Sequence, residues 1–92
     1  MTPAARKKHL AAMYKECTQA GMAPDHWGNW KLPDQTDFRI KFKTVNVRFE
    51  RKLDDGTWIL MGRSMVVSQI ELTEWPDILQ VKIKMYNHMR GV

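Results

Sequence analysis

The stretch Phe38-Arg39-Ile40-Lys41-Phe42-Lys43-Thr44-Val45-Asn46-Val47-Arg48-Phe49 decides how this chain folds. Phe38, Ile40 and Phe42 alternate with Arg39, Lys41 and Lys43, the period-2 signature of a strand with one apolar face. The phase then slips, and Val45, Val47 and Phe49 become the apolar set. Side chains of a strand alternate strictly, so a change of parity requires a bulge or a break, here near Lys43-Thr44. The spacing predicts a strand over 38–53. Asp54-Asp55-Gly56 follows, and Asp-Gly is a strong hairpin signal. Residues 57–72 therefore read as a second strand, or as two short strands broken near Gly62.

Taking Asp55-Gly56 as a two-residue loop fixes a register. Leu53 then faces Trp58, Arg51 faces Leu60, Phe49 faces Gly62 and Val47 faces Ser64. That face, with Val45 and Val66, is apolar and belongs against a core. The opposite face pairs Lys52 with Ile59, Glu50 with Met61, Arg48 with Arg63 and Asn46 with Met65. It interleaves cations with Ile59, Met61 and Met65, and is too apolar for a fully solvated face. Either another element of the chain or a partner is expected to cover it.

On the N-terminal side, the sequence predicts a helix over 3–20. Thr2 can cap it, and Pro3 suits a first turn where its missing N–H is not needed. Leu10, Met13, Tyr14 and Cys17 follow the spacing of one apolar stripe, and Gly21 supplies a stop. Residues 21–37, with Gly21, Pro24, Gly28 and Pro33, read as a loop. It carries Trp27 and Trp30, which either seal the edge of a core or serve as stacking and docking groups.

On the C-terminal side, Thr73-Glu74-Trp75-Pro76-Asp77 resembles a helix start, with Thr73 as the cap. Ile78, Leu79, Lys82, Met85, Tyr86 and Met89 would share one face, the Lys82 stem lying along it. Leu79–Met85 also alternates as a strand would. The start signal, the length and Gly91 favour the helix. The expectation is an α+β fold in one domain over 1–92: an N-terminal helix on a small antiparallel sheet, either a long hairpin or a three-stranded meander, and a C-terminal helix.

Composition narrows the function. The chain has 92 residues, 43% of them hydrophobic, and a net charge of +5. The positive excess lies in residues 1–52. That hydrophobic content supports a packed core rather than disorder. No apolar run is long enough to span a membrane, and residues 2–9 lack the apolar segment of a signal peptide. A single cysteine, Cys17, excludes an internal disulfide framework and points to a reducing compartment, hence the cytoplasm.

Catalytic and metal signatures are missing from the sequence. His9, His26 and His88 lack ligand spacing. His9 and Cys17 stand about 12 Å apart along a helix, too far for a thiolate–imidazole pair, and Cys17 on the apolar stripe reads as an inert core thiol. Neither an enzyme activity nor a cofactor is expected. The positive signal is the run Arg39–Lys52, which carries Arg39, Lys41, Lys43, Arg48, Arg51 and Lys52 against Glu50 alone. Such a ridge can neutralise phosphates or meet an acidic protein surface. It can equally be a solvated strand face with edge-protecting lysines. Arg6, Lys7 and Lys8 form a second cluster at a helix N-terminus, where the macrodipole prefers anions. The candidate contact residues are Lys41, Lys43, Arg48 and Arg63, with Met61 and Met65 beside them, and then Arg6, Lys7, Lys8 and Trp30. Arg48 and Arg63 head this set, because the two-residue loop sets them opposite one another and an anion between them would relieve the repulsion. No helix-turn-helix, zinc-finger or RNP aromatic motif accompanies them, so recognition by charge and shape is expected.

In size, charge, helix-plus-hairpin layout and lack of motif, the chain resembles small phage-encoded inhibitors of host defence. Among these are the anti-CRISPR proteins that block type I surveillance complexes. The resemblance implies a stoichiometric inhibitor that docks on a host ribonucleoprotein in the cytoplasm. Its arginines and lysines would lie near guide RNA, or in the groove meant for target DNA. Two other readings stand beside it. One is a small basic nucleic-acid-binding or transcription accessory protein acting on free DNA or RNA. The other is a subunit of a larger assembly, docked through the mixed hairpin face.

Overall fold

The structure is a computed structural model, in which residues 1–90 are described. Helix α1 spans Pro3–Gln19. The Ala5 amide donates to Thr2 Oγ1 at 3.1 Å, so Thr2 is the cap that its position suggests. The helix ends in a Schellman motif. Gly21 N–H donates to the Thr18 carbonyl and Met22 N–H to the Cys17 carbonyl, each at 3.0 Å. Gly21 sits at φ +88°, a conformation open to glycine at little cost.

Six strands follow: β1 Ala23–Pro24, β2 Trp30–Leu32, β3 Gln35–Phe42, β4 Asn46–Lys52, β5 Trp58–Leu60 and β6 Met65–Val66. They form one antiparallel sheet in the order β1-β2-β3-β4-β5, and β6 also pairs with β4. The sheet is a longer meander than the sequence suggests. Residues 21–37, read there as loop, contribute β1, β2 and the start of β3, in strands too short to show a period. Residues 38–53 are two strands rather than one bulged strand. The chain turns at Lys43–Val45, where Lys43 N–H donates to the Asn46 carbonyl at 2.7 Å. The parity slip is therefore a hairpin turn built without glycine or proline.

The β4–β5 register also differs from the expected one. Glu50 pairs with Leu60, Arg51 with Ile59 and Lys52 with Trp58. The loop has three residues, Asp54-Asp55-Gly56. Leu53 N–H donates to the Thr57 carbonyl at 2.7 Å, and Gly56 adopts φ +88°. Lengthening the loop by one residue shifts the pairing by one and exchanges the faces of β5. Trp58 and Leu60 leave the core face. Ile59 joins it, and so does Met61, whose N–H donates to the Phe49 carbonyl at 2.7 Å.

Beyond the 3₁₀ turn Val67–Gln69, the C-terminal segment is a helix: α2 spans Trp75–Met89. Its cap position is Glu74, without a side-chain capping bond, so Thr73 does not fill that role. Gly91, read as a stop, lies outside the described residues. Both helices lie on one face of the sheet. Tyr14 of α1 stacks on Trp30 and meets Phe42 edge-on. Tyr86 of α2 stacks on Phe38, and Trp75 lies against Phe42 and Phe49. The Trp75 indole N–H donates to the Met13 carbonyl at 3.0 Å and joins the two helices. Lys82 is buried with its stem in the core. Its ammonium donates to the Met61 carbonyl at 3.2 Å and lies 5.5 Å from the Phe49 ring centre. Among the described residues, no helix is long and apolar enough to cross a membrane.

Candidate functional site

The other face of the sheet carries no helix among the described residues. Pairing of Arg39 with Glu50 and of Lys41 with Arg48 places these four side chains together. Lys52, Trp58 and Leu60 share their face by register. Glu50 is the centre of the group. Arg39 Nε donates to its Oε1 at 2.8 Å. Arg48 Nε lies 3.1 Å from its Oε2, a separation that makes an ion pair while the angle falls short of a hydrogen bond. The Glu50 side chain is 6% exposed, against 16% for Arg39 and 33% for Arg48. Trp58 reaches across β4, so that the Arg39 guanidinium lies 3.9 Å from its ring centre, with the Lys31 ammonium 5.9 Å away. The face thus joins a half-buried aromatic group to Lys31, Arg39, Lys41, Arg48 and Lys52, with Glu50 as the acid embedded among them.

Not all the residues singled out from sequence reach this face. Lys41 and Arg48 do, as a directly opposed like-charge pair. Arg48 does not face Arg63, which lies exposed in the connection between β5 and β6. Met61 is 1% exposed and belongs to the core. Met65 pairs with Val47 and packs against the core from its edge, on the helix side. Trp30 is buried under Tyr14 rather than offered to a partner. Lys43 is exposed in the β3–β4 turn, and its carbonyl accepts from Arg6 Nη2 at 3.1 Å. Arg6 is thereby tied to one end of the sheet. Lys7 and Lys8 are exposed on α1, which covers the opposite face. Sequence reasoning missed Glu50 and Trp58 as members of the site. The signal was present in the alternation Arg48, Glu50, Lys52, and it needed the three-residue loop to bring Trp58 beside it.

Two further features bear on chemistry. Burial pushes the Cys17 thiol up to about 12, so the nucleophilic thiolate is scarce at neutral pH. Trp27 is 74% exposed at the tip of the β1–β2 connection, its ring tilted against that of His26 with ring centres 3.7 Å apart. The Asp25 carboxylate holds that tip by accepting from the amides of Trp27 and Asn29, at 2.9 and 3.0 Å. No protein-family model, curated protein or solved structure matches this chain.

Proposed function

We propose that the chain is a non-enzymatic binding protein whose open sheet face engages phosphate groups presented by a ribonucleoprotein. In this reading it acts as a stoichiometric inhibitor of the anti-CRISPR kind, in the cytoplasm, by occupying the path of a nucleic acid. One observation carries the reading: Lys41 stands directly opposite Arg48 on a face that no helix covers among the described residues. Opposed like charges weaken a sheet, and an anionic partner would offset that cost. The general build of the chain supplies the class of partner.

Binding of free single-stranded DNA or RNA is the second reading, favoured by Trp58. An aromatic ring beside a basic groove is the usual platform for unpaired bases. The test measures binding to bulk DNA and RNA over a salt series, followed by capture from a host lysate. The first reading expects a defined ribonucleoprotein to be captured, with weak free binding. Tight free binding with a steep salt slope supports the second. A Lys41→Glu, Arg48→Glu protein that is folded and still binds as wild type would discard the face altogether.

A further inference from the structure

We infer that Glu50, Arg39 and Arg48 form a preset phosphodiester site, in which the glutamate serves as the positioning residue and the two arginines supply the contacts. The inference rests on the proposed reading of the open face and names the ligand chemistry and the residue roles within it. Arg39 Nε donates to the buried carboxylate at 2.8 Å, and Arg48 Nε stands 3.1 Å from its other oxygen as an ion pair without a hydrogen bond. An arginine held by Nε keeps its two terminal Nη groups for another acceptor. No described residue accepts a hydrogen bond from the Nη groups of Arg39 or Arg48. Arg39 is further fixed by Trp58 at 3.9 Å, a stacking that orders the guanidinium plane. A backbone phosphate has non-bridging oxygens that suit two such forks, and paired N–H···O contacts of this kind are charge-assisted. Lys41, next to Arg48 across the strands, adds a point charge without a fixed direction.

The embedded carboxylate gives the proposal a sign that simple attraction lacks. Glu50→Gln makes the face more positive. If charge alone governs, this variant binds an oligonucleotide more tightly. If Glu50 positions the forks, it binds more weakly despite the added charge. The measurement is fluorescence anisotropy with a short labelled oligothymidylate and an oligouridylate, repeated on the captured ribonucleoprotein so that the arms separate the two phosphate sources. Arg39→Lys and Arg48→Lys keep the charge and remove the fork. Each is expected to weaken binding about tenfold, the scale of one charge-assisted contact. Thermal melts check folding, and if Glu50→Gln does not fold, the two lysine variants decide. Tighter binding by a folded Glu50→Gln, or unchanged binding by both lysine variants, overturns the preset site. If Lys41→Glu still weakens binding in that case, the open face stands as a diffuse basic surface. Absence of binding by the wild type in every arm overturns both.

Discussion

The two faces of the β3–β4 hairpin are built from alternate residues of the same strands, yet they differ in burial and in charge. Phe38, Ile40, Val47 and Phe49 turn inward and are fully buried beneath the helices. Arg39, Lys41, Arg48 and Glu50 turn to the other side, where no helix lies among the described residues. The inner face gains stability from apolar area and tight contact. The outer face adds little of that and holds a like-charge pair and an embedded ion pair, features that a sheet selected only for stability would shed. Stability and the proposed recognition are therefore separable here by a step of one residue along a strand.

The largest effect that would sharpen this contrast lies inside. Phe49→Ala removes a ring that touches both Trp75 and Lys82 and should cost about 3–5 kcal/mol in chemical denaturation. A cost near zero would remove the distinction between the faces. Next comes Gly62→Ala. Gly62 sits at φ +77°, and an added Cβ would lie 2.6 Å from Lys82 Nζ. The strained backbone and the displaced ammonium should together cost roughly 1–3 kcal/mol. Gly56→Val, at φ +88° in the β4–β5 loop, belongs to the same range by the same backbone argument. An unchanged melting temperature there would undo the loop on which the membership of the outer face depends.

Alkaline pH probes the inner side again. Burial pushes Cys17 up to about 12, and burial together with its bond to Asp37 pushes Tyr86 up to about 12. Their ordinary values are 9.0 and 10.0. Above those values the unfolded chain releases protons that the folded chain retains, so stability should fall as pH rises from 9 towards 12. Cys17→Ala should flatten the lower part of that decline, and a pH titration of the denaturation midpoint measures it. The smallest effect is outside. Lys41→Ala should change stability by less than about 0.5 kcal/mol while lowering affinity for the proposed anionic partner. A substantial loss of stability would mean that the open face supports the fold.

The sequence made α1, its cap and its stop legible, because Thr2, Pro3 and Gly21 act locally and the structure uses each of them as its chemistry suggests. It also made the choice of helix for α2 legible, since the start signal at Thr73–Asp77, the length and Gly91 favour it over the alternation of Leu79–Met85, although Glu74 rather than Thr73 holds the cap position. The membership of the candidate face was less so. Asp54-Asp55-Gly56 is compatible with loops of two or three residues, and the difference moves Trp58 from one face to the other. The turn at Lys43–Val45 lacks glycine and proline, so it left only a parity slip, which a bulge would equally produce. Glu50 looked like a lone acid in a basic run. Its role depends on Arg39 of another strand, eleven positions away, whose position follows from pairing rather than from spacing.

The margins of the sheet bear on how anything could attach to it. One margin is β1, two residues long and ending in Pro24, which has no N–H to offer a newcomer. On the other side, β4 is shared in succession by β5 and β6, of three and two residues. Neither border presents a long row of free backbone groups, so a foreign strand has little template on which to extend the sheet. The same brevity leaves little edge on which copies could stack edge-to-edge into fibrils. Under the proposed reading it leaves the broad side of the sheet for a partner, where side chains rather than main-chain amides would choose what is held.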